Sequence, residues 1–234
     1  MARAGDGKLG MIDEDGKPLR LAWSFSRAEL MVDGVVHVFG STMAAAAAIT
    51  LVILCALFAN GVSLAGGTVY ALTLVAAFWV SAAYNIWPIS RTKWVLRRFD
   101  HATIFLLIAG TYTPLLLQVP DRLISVGLLT GVWLVALGGI VLKLVFPGRL
   151  DRLSIALYLG LGWSGLLAIN SVMAVLPASA LWLIGLGGVL YSVGVIFHVW
   201  NTLRFQNAVW HVFVLVASGC HYAAVLVSLL LGRG

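Results

Sequence analysis

Charge is the scarcest commodity in this chain. Asp, Glu, Lys and Arg together supply 10% of its residues, against 61% hydrophobic. That balance excludes an ordinary soluble domain, because 234 residues cannot hide so much apolar surface in one core. Cysteine is nearly missing. Cys55 and Cys220 both fall inside apolar stretches and read as buried thiols, which excludes a disulfide framework. The first 28 residues hold no apolar h-region, so they do not resemble a cleavable secretory signal. Proline is sparse, and Pro88, Pro120, Pro147 and Pro177 each stand at the end of a long apolar run.

Those runs fill the rest of the chain. They cover 36–59, 66–88, 102–119, 123–146, 153–176, 179–200 and 208–231. A hydrocarbon slab of ~30 Å asks for ~20 residues per helix. The expected fold is therefore all-α: a seven-transmembrane-helix bundle over residues 29–234, preceded by a polar cytoplasmic segment, 1–28. Asp15-Gly16 and Pro18 suggest a turn, as in a short hairpin, within that segment. Ser26 and Glu29 have the spacing of a capping box and would start the first helix outside the bilayer.

Orientation follows from the basic residues. Arg3, Lys8, Lys17, Arg20 and Arg27 precede the first run, and Arg91, Lys93, Arg97 and Arg98 lie between the second and third. Lys143, Arg149 and Arg152 flank the turn between the fourth and fifth, and Arg204 lies between the sixth and seventh. Only Arg122 and Arg233 fall on the opposite side. The positive-inside rule then places the N-terminus in the cytoplasm and the C-terminus outside, in a multi-pass protein of the cell inner (plasma) membrane. The net charge of +6 reflects this topology and contact with anionic headgroups. The expected partners are membrane lipids and not nucleic acid; the sequence names no protein partner.

Gly160, Gly162 and Gly165 spell G-x-G-x-x-G, but a dinucleotide site needs a strand turning into a helix, and these residues lie within a long apolar run. Close helix packing through small residues is the expectation there, for Gly185, Gly187 and Gly188, and for the Ala44–Ala48 run.

Polar residues within apolar helices are costly and need a reason. Glu29, Asp33 and His37 open the first helix at four-residue spacing and share one face. Ser81 and Asn85 close the second, Asp100 and His101 open the third, His198 closes the sixth, and Asn207 and His211 open the seventh. In the expected topology all of these lie at the cytoplasmic end; His221 alone lies deeper. The outer ends carry little beyond Asn60, Asp121 and Arg122. A polar pocket in the cytoplasmic half is expected. Taken singly, Glu29 reads as a cap and Asp100 as a favourable charge at a helix N-terminus.

The stretch from Arg97 to Pro114, Arg-Arg-Phe-Asp-His-Ala-Thr-Ile-Phe-Leu-Leu-Ile-Ala-Gly-Thr-Tyr-Thr-Pro, closely resembles the signature of haemolysin III proteins, the bacterial branch of the progestin and adiponectin receptor (PAQR) family. Ser81-Ala82-Ala83-Tyr84 resembles that family's Ser-x-x-Tyr/Phe-His segment, and Trp210-His211 through Cys220-His221 its seventh helix. Glu29, Asp33 and His37 match its Glu, Asn and His pattern, with Asp33 in place of the usual Asn. The resemblance implies a zinc ion near the cytoplasmic face, held by a His ending the second helix and two His opening the seventh. Ser81 and Asp100 would stand nearby, in catalytic positions. Three imidazoles leave a fourth position for water, as hydrolytic zinc sites require, and Asp100 would orient that water or act as base.

This chain departs at two of those positions. Asn85 and Asn207 replace imidazoles, and of the expected ligands only His211 remains. Neutral amides are poor zinc ligands, so no cofactor is expected at the family position. Two arrangements would answer the change. His198 could substitute, with His211 and either His101 or Asp100, or the two amides could join Ser81, Asp100 and His211 in a metal-free network. The function expected first is a non-catalytic sensor or regulator of membrane lipid state. The alternative is a metal-dependent, ceramidase-like lipid amide hydrolase with a rearranged site. A pore-forming cytolysin, or a proton-coupled transporter, would need a polar path through outer helix halves that are apolar here.

Overall fold

The structure is a computed structural model that describes residues 25–146, 151–200 and 202–231. Every element among them is helical: α1 (Arg27–Phe58), α2 (Gly61–Ile86), α3 (Arg91–Leu116), α4 (Arg122–Val145), α5 (Asp151–Trp163), a 3-10 segment (Ser164–Ala168), α6 (Ile169–Val175), α7 (Ala178–Val199) and α8 (Gln206–Leu231). Among the described residues, six spans are long and apolar enough to cross a membrane: α1, α2, α4, the stretch Arg152–Val175, α7 and α8. The suggested turn at Asp15-Gly16 and Pro18, and Arg149, lie outside the described residues.

The apolar runs lie within helices whose ends are set by caps. α1 starts well before residue 36 because the capping box forms: Ser26 Oγ accepts from the Glu29 N–H at 3.3 Å, and the Glu29 carboxylate accepts from the Ser26 N–H at 2.8 Å. The third helix was expected over 102–119 but begins at Arg91, where Ser90 Oγ accepts from the Lys93 N–H at 3.3 Å. Arg91, Lys93, Arg97 and Arg98 are therefore helical rather than part of a loop, and α3 is not among the six membrane-capable spans. Trp87, held extended ahead of Pro88, stops α2.

The fifth run was expected as one helix and is broken instead. Tyr112, reaching across from α3, inserts its hydroxyl at the break. The oxygen accepts from the Gly165 N–H at 2.6 Å, lies 3.2 Å from Ser164 Oγ, and donates toward the Gly162 and Leu161 carbonyls at 2.8 and 3.1 Å. This corrects the packing reading of the glycines there. Gly160 and Gly162 face open space, and Gly165 meets the Tyr112 hydroxyl. Elsewhere small residues do permit close approach. Gly110 backs onto Thr73, Gly139 onto the Phe105 ring, Gly187 onto the His221 ring and Gly188 onto Trp163. Ala44 and Ala48 form a buried face of α1.

Sequential helices pack side by side from α1 to α4, as do α7 and α8, and α1 also lies against α8, which closes the bundle. Leu51, Tyr70, Leu116 and Val225 fill the core between α1, α2, α3 and α8. Phe105, Ala109, Val132 and Ala136 fill a second core between α3 and α4. Large apolar side chains face outward, Leu123 84%, Leu167 83% and Trp182 80% exposed, a surface suited to lipid rather than water.

Candidate functional site

The four-residue spacing of Glu29, Asp33 and His37 puts them on the face of α1 that meets α8. Glu29 serves two ends at once. Besides its capping box, its Oε1 accepts from the backbone N–H of Phe205 at 3.0 Å. Phe205, at φ 58°, is the one non-glycine among the described residues in the left-handed region, and it stands immediately before α8. Further along both helices, Asp33, His37 and His211 come together. His211 Nδ1 lies 2.7 Å from Asp33 Oδ1 and 3.1 Å from His37 Nε2, and the last two atoms are 3.7 Å apart. The imidazoles meet edge-on, centroids 4.2 Å apart at 61°. Asp33 and His37 are buried, and His211 nearly so.

The end of α2 is organised separately. The Asn85 side-chain amide donates back to the Ser81 carbonyl at 2.9 Å and lies 3.4 Å from Ser81 Oγ. Ser81 also hydrogen-bonds the Asp100 carboxylate. Lys93 caps the helix: its ammonium donates to the carbonyls of Tyr84, Asn85 and Trp87 at 2.8, 3.0 and 2.9 Å. Those are carbonyls a helix end leaves without partners. Lys93 entered the sequence reading only as a charge for topology, and its position in the first turn of α3 was hidden by the low hydropathy there.

His198 packs its ring on Trp210, centroids 4.9 Å apart, and its carbonyl takes the Gln206 side-chain amide. The His101 carbonyl accepts from the Tyr158 hydroxyl at 2.8 Å. His221 lies deeper, its Nε2 3.3 Å from the Ile184 carbonyl and its ring 5.4 Å from that of Tyr191. Asn207 is half-buried on the first turn of α8. All eleven candidate residues, Glu29, Asp33, His37, Ser81, Asn85, Asp100, His101, His198, Asn207, His211 and His221, line one cavity of about 970 Å³.

Two chemical groupings thus share the cavity wall. Asp33, His37 and His211 are the one group of three acidic, imidazole or thiol side chains among the described residues whose donor atoms converge, all within 4.8 Å. His198 and His101 are not in it. Ser81, Asn85 and Asp100 form a hydrogen-bonded set without an imidazole. Zinc does not fit the position that the family resemblance implies. Of the three imidazoles which that resemblance implies, His211 alone is present, and the Asn85 amide is turned onto its own helix.

The sequence profile described as Haemolysin-III related matches residues 25–222. The chain belongs to the haemolysin III family. It is 35% identical over 202 residues to a hemolysin-3 homolog of Bacillus subtilis (strain 168), covering 86% of this chain and 95% of that protein. Hemolysin-3 of Bacillus cereus is 32% identical over 198 residues, 85% of this chain and 90% of the relative. The human monocyte to macrophage differentiation factor is 29% identical over 168 residues, 67% of each chain. That similarity fits the wider PAQR relationship which the Arg97–Pro114 motif suggests. With six apolar helices, family membership makes this haemolysin III protein a multi-pass membrane protein.

Proposed function

We propose that this haemolysin III protein is a non-catalytic sensor or regulator of membrane lipid state, seated in the inner membrane with seven spans, its N-terminus cytoplasmic and its C-terminus outside. In this reading α3 joins the six apolar spans to complete the seven, carried by its apolar half beyond Asp100. The observation that carries the proposal is the cavity of about 970 Å³. Polar groups from α1, α2, α3 and α8 line part of its wall, and Ile104, Leu107, Ile108 and Val214 line another. A headgroup and the start of an acyl chain ask for that combination, and the volume is at the upper end of small-molecule sites. The family's hydrolytic constellation, by contrast, is short of two imidazoles.

Native mass spectrometry of the protein released from inner-membrane vesicles tests this. A co-purifying lipid, displaced by bulky substitutions such as Leu107→Trp, supports the reading; retention of lipid by that variant, or a protein that carries none, removes it. The alternative is a lipid amide hydrolase, favoured by the Ser81–Asp100 hydrogen bond in the same cavity. Turnover of a fluorescent ceramide, lost in Asp100→Asn, would put that alternative first.

A further inference from the structure

The contacts of His211 Nδ1 rest on one proton at most, because a ring nitrogen carries either one proton or one lone pair. If it is N–H, that proton is shared between Asp33 Oδ1 at 2.7 Å and a His37 Nε2 lone pair at 3.1 Å, and two acceptors face each other across a single donor. If it is a lone pair, it faces the carboxylate oxygen, and two acceptors meet at 2.7 Å. Either way the triangle holds more lone pairs than protons. A cation at the centre of the triangle takes all three lone pairs at once.

The dimensions suit zinc. Around a tetrahedral zinc with bonds of ~2.05 Å, neighbouring donors stand about 3.3 Å apart. The three separations here, 2.7, 3.1 and 3.7 Å, bracket that value. A point ~2.05 Å from all three atoms exists, and it lies roughly 0.8 Å out of their plane, as the metal does above one face of a tetrahedron. The donors are two neutral-capable imidazoles and one carboxylate, a set zinc accepts. Asp33 and His37 are one turn apart on α1, and His211 comes from α8, so one ion would tie two helices 174 residues apart in sequence.

We propose that Asp33, His37 and His211 form a zinc site, displaced from the family position to the α1–α8 seam, with the fourth coordination position open toward the cavity. The donor types agree with that placement: Asn85 and Asn207 offer only neutral amides, while Asp33 offers a carboxylate. The site stands apart from the lipid-sensing reading, because an ion pinning α1 to α8 needs no turnover and no bound lipid.

The test uses the full chain in detergent micelles, stripped by chelator and reloaded with Zn²⁺ alone. About one zinc per chain is expected. Asp33→Asn and His37→Gln should each weaken binding by at least ~100-fold, beyond the 10–100-fold that supporting residues cost. His198→Gln should leave the affinity within about twofold, since His198 donates nothing to the converging group. A parent that takes up no stoichiometric zinc, variants that bind as the parent does, or loss of binding in His198→Gln would each overturn the assignment. X-ray absorption at the zinc edge of the loaded parent does not depend on the variants folding. Two imidazoles with oxygen donors at ~2.0–2.1 Å support the site, and a sulfur-containing or all-oxygen shell refutes it. Lipid content measured on the same samples reports separately on the sensor reading.

Discussion

Replacing Tyr112 by Phe removes one oxygen atom from the break in the fifth span, and the structure fixes what that atom does. It satisfies the Gly165 N–H at 2.6 Å and donates its single proton toward the Gly162 and Leu161 carbonyls at 2.8 and 3.1 Å. Ser164 Oγ retains its bond to the Leu161 carbonyl at 2.7 Å, so Leu161 keeps a partner. The net loss is one accepted and one donated hydrogen bond, and the Gly165 N–H loses the acceptor that faces it at 2.6 Å. Intramolecular hydrogen bonds are each worth ~0.5–1.5 kcal/mol net, and an unsatisfied buried donor costs ~1–3 kcal/mol. Measured side-chain bonds in membrane bundles average only ~0.6 kcal/mol, because the unfolded chain in lipid also finds partners. Taking the two groups together, Tyr112→Phe should cost about 1–3 kcal/mol. Tyr158→Phe is the comparison at an unbroken helix, since it removes the donor to the His101 carbonyl at 2.8 Å, and a bond of that kind is worth about 0.6 kcal/mol. Equilibrium unfolding in mixed micelles, followed by far-UV circular dichroism, reads both. If Tyr112→Phe costs no more than Tyr158→Phe, the hydroxyl does not hold the break, and the discontinuity between α5 and α6 must come from the local sequence.

Gly187→Ala should destabilise by about 1–3 kcal/mol through overpacking, because the new methyl would meet the His221 ring; combined with His221→Ala, the cost should fall, a positive coupling in a double-mutant cycle. Lys93→Met should cost about 2 kcal/mol in the same unfolding assay, since it strips the charged donor from three carbonyls at the end of α2, and amide exchange should rise at the residues following Asn85. Asn85→His with Asn207→His should restore a three-imidazole set with His211, so that zinc content, measured by elemental analysis, no longer depends on Asp33 or His37. Continued dependence on those two residues would refute the displacement argument.

Hydropathy made the helices legible and left their ends obscure, for a reason that differs at each place. α1 and α3 begin among charged residues because a cap starts a helix wherever its donors are satisfied, and Ser26 with Glu29, or Ser90, does so outside any apolar run. The capping box was readable at α1, where Ser26 and Glu29 have the full spacing. At α3 the lone Ser90 was not distinctive. The break after Trp163 could not be read locally, since the residue that stabilises it, Tyr112, comes from another helix. The same division holds for the site. The polar residues were recognisable as a set because sequence order and helix direction decide which ends meet. The grouping within the set depends on the register of α1 against α8, which no spacing in either helix reveals. Asp33 and His37 were accordingly visible as one face, while their meeting with His211 was not.

That register is specified twice, and the second specification explains why the first matters. The Glu29 carboxylate holds the backbone N–H of Phe205 at 3.0 Å, and Phe205 in turn takes the left-handed conformation that starts α8. A non-glycine residue in that region costs free energy, so the turn persists because Glu29 and the helix starting at Gln206 over-determine it. Asp33 and His37 follow Glu29 at successive turns of the same face, and His211 follows Phe205 along α8. Glu29 therefore fixes the height at which the two helices meet, and the cluster forms at the next contact along the seam. Neither part works alone: without the contact at Phe205, the register of α8 against α1 would rest on side-chain packing alone, and a shift of one residue would turn His211 by ~100° away from α1. A seam built in this order makes the geometry of the cluster a consequence of a backbone contact, which is how a buried constellation can be held on two helices that are otherwise apolar.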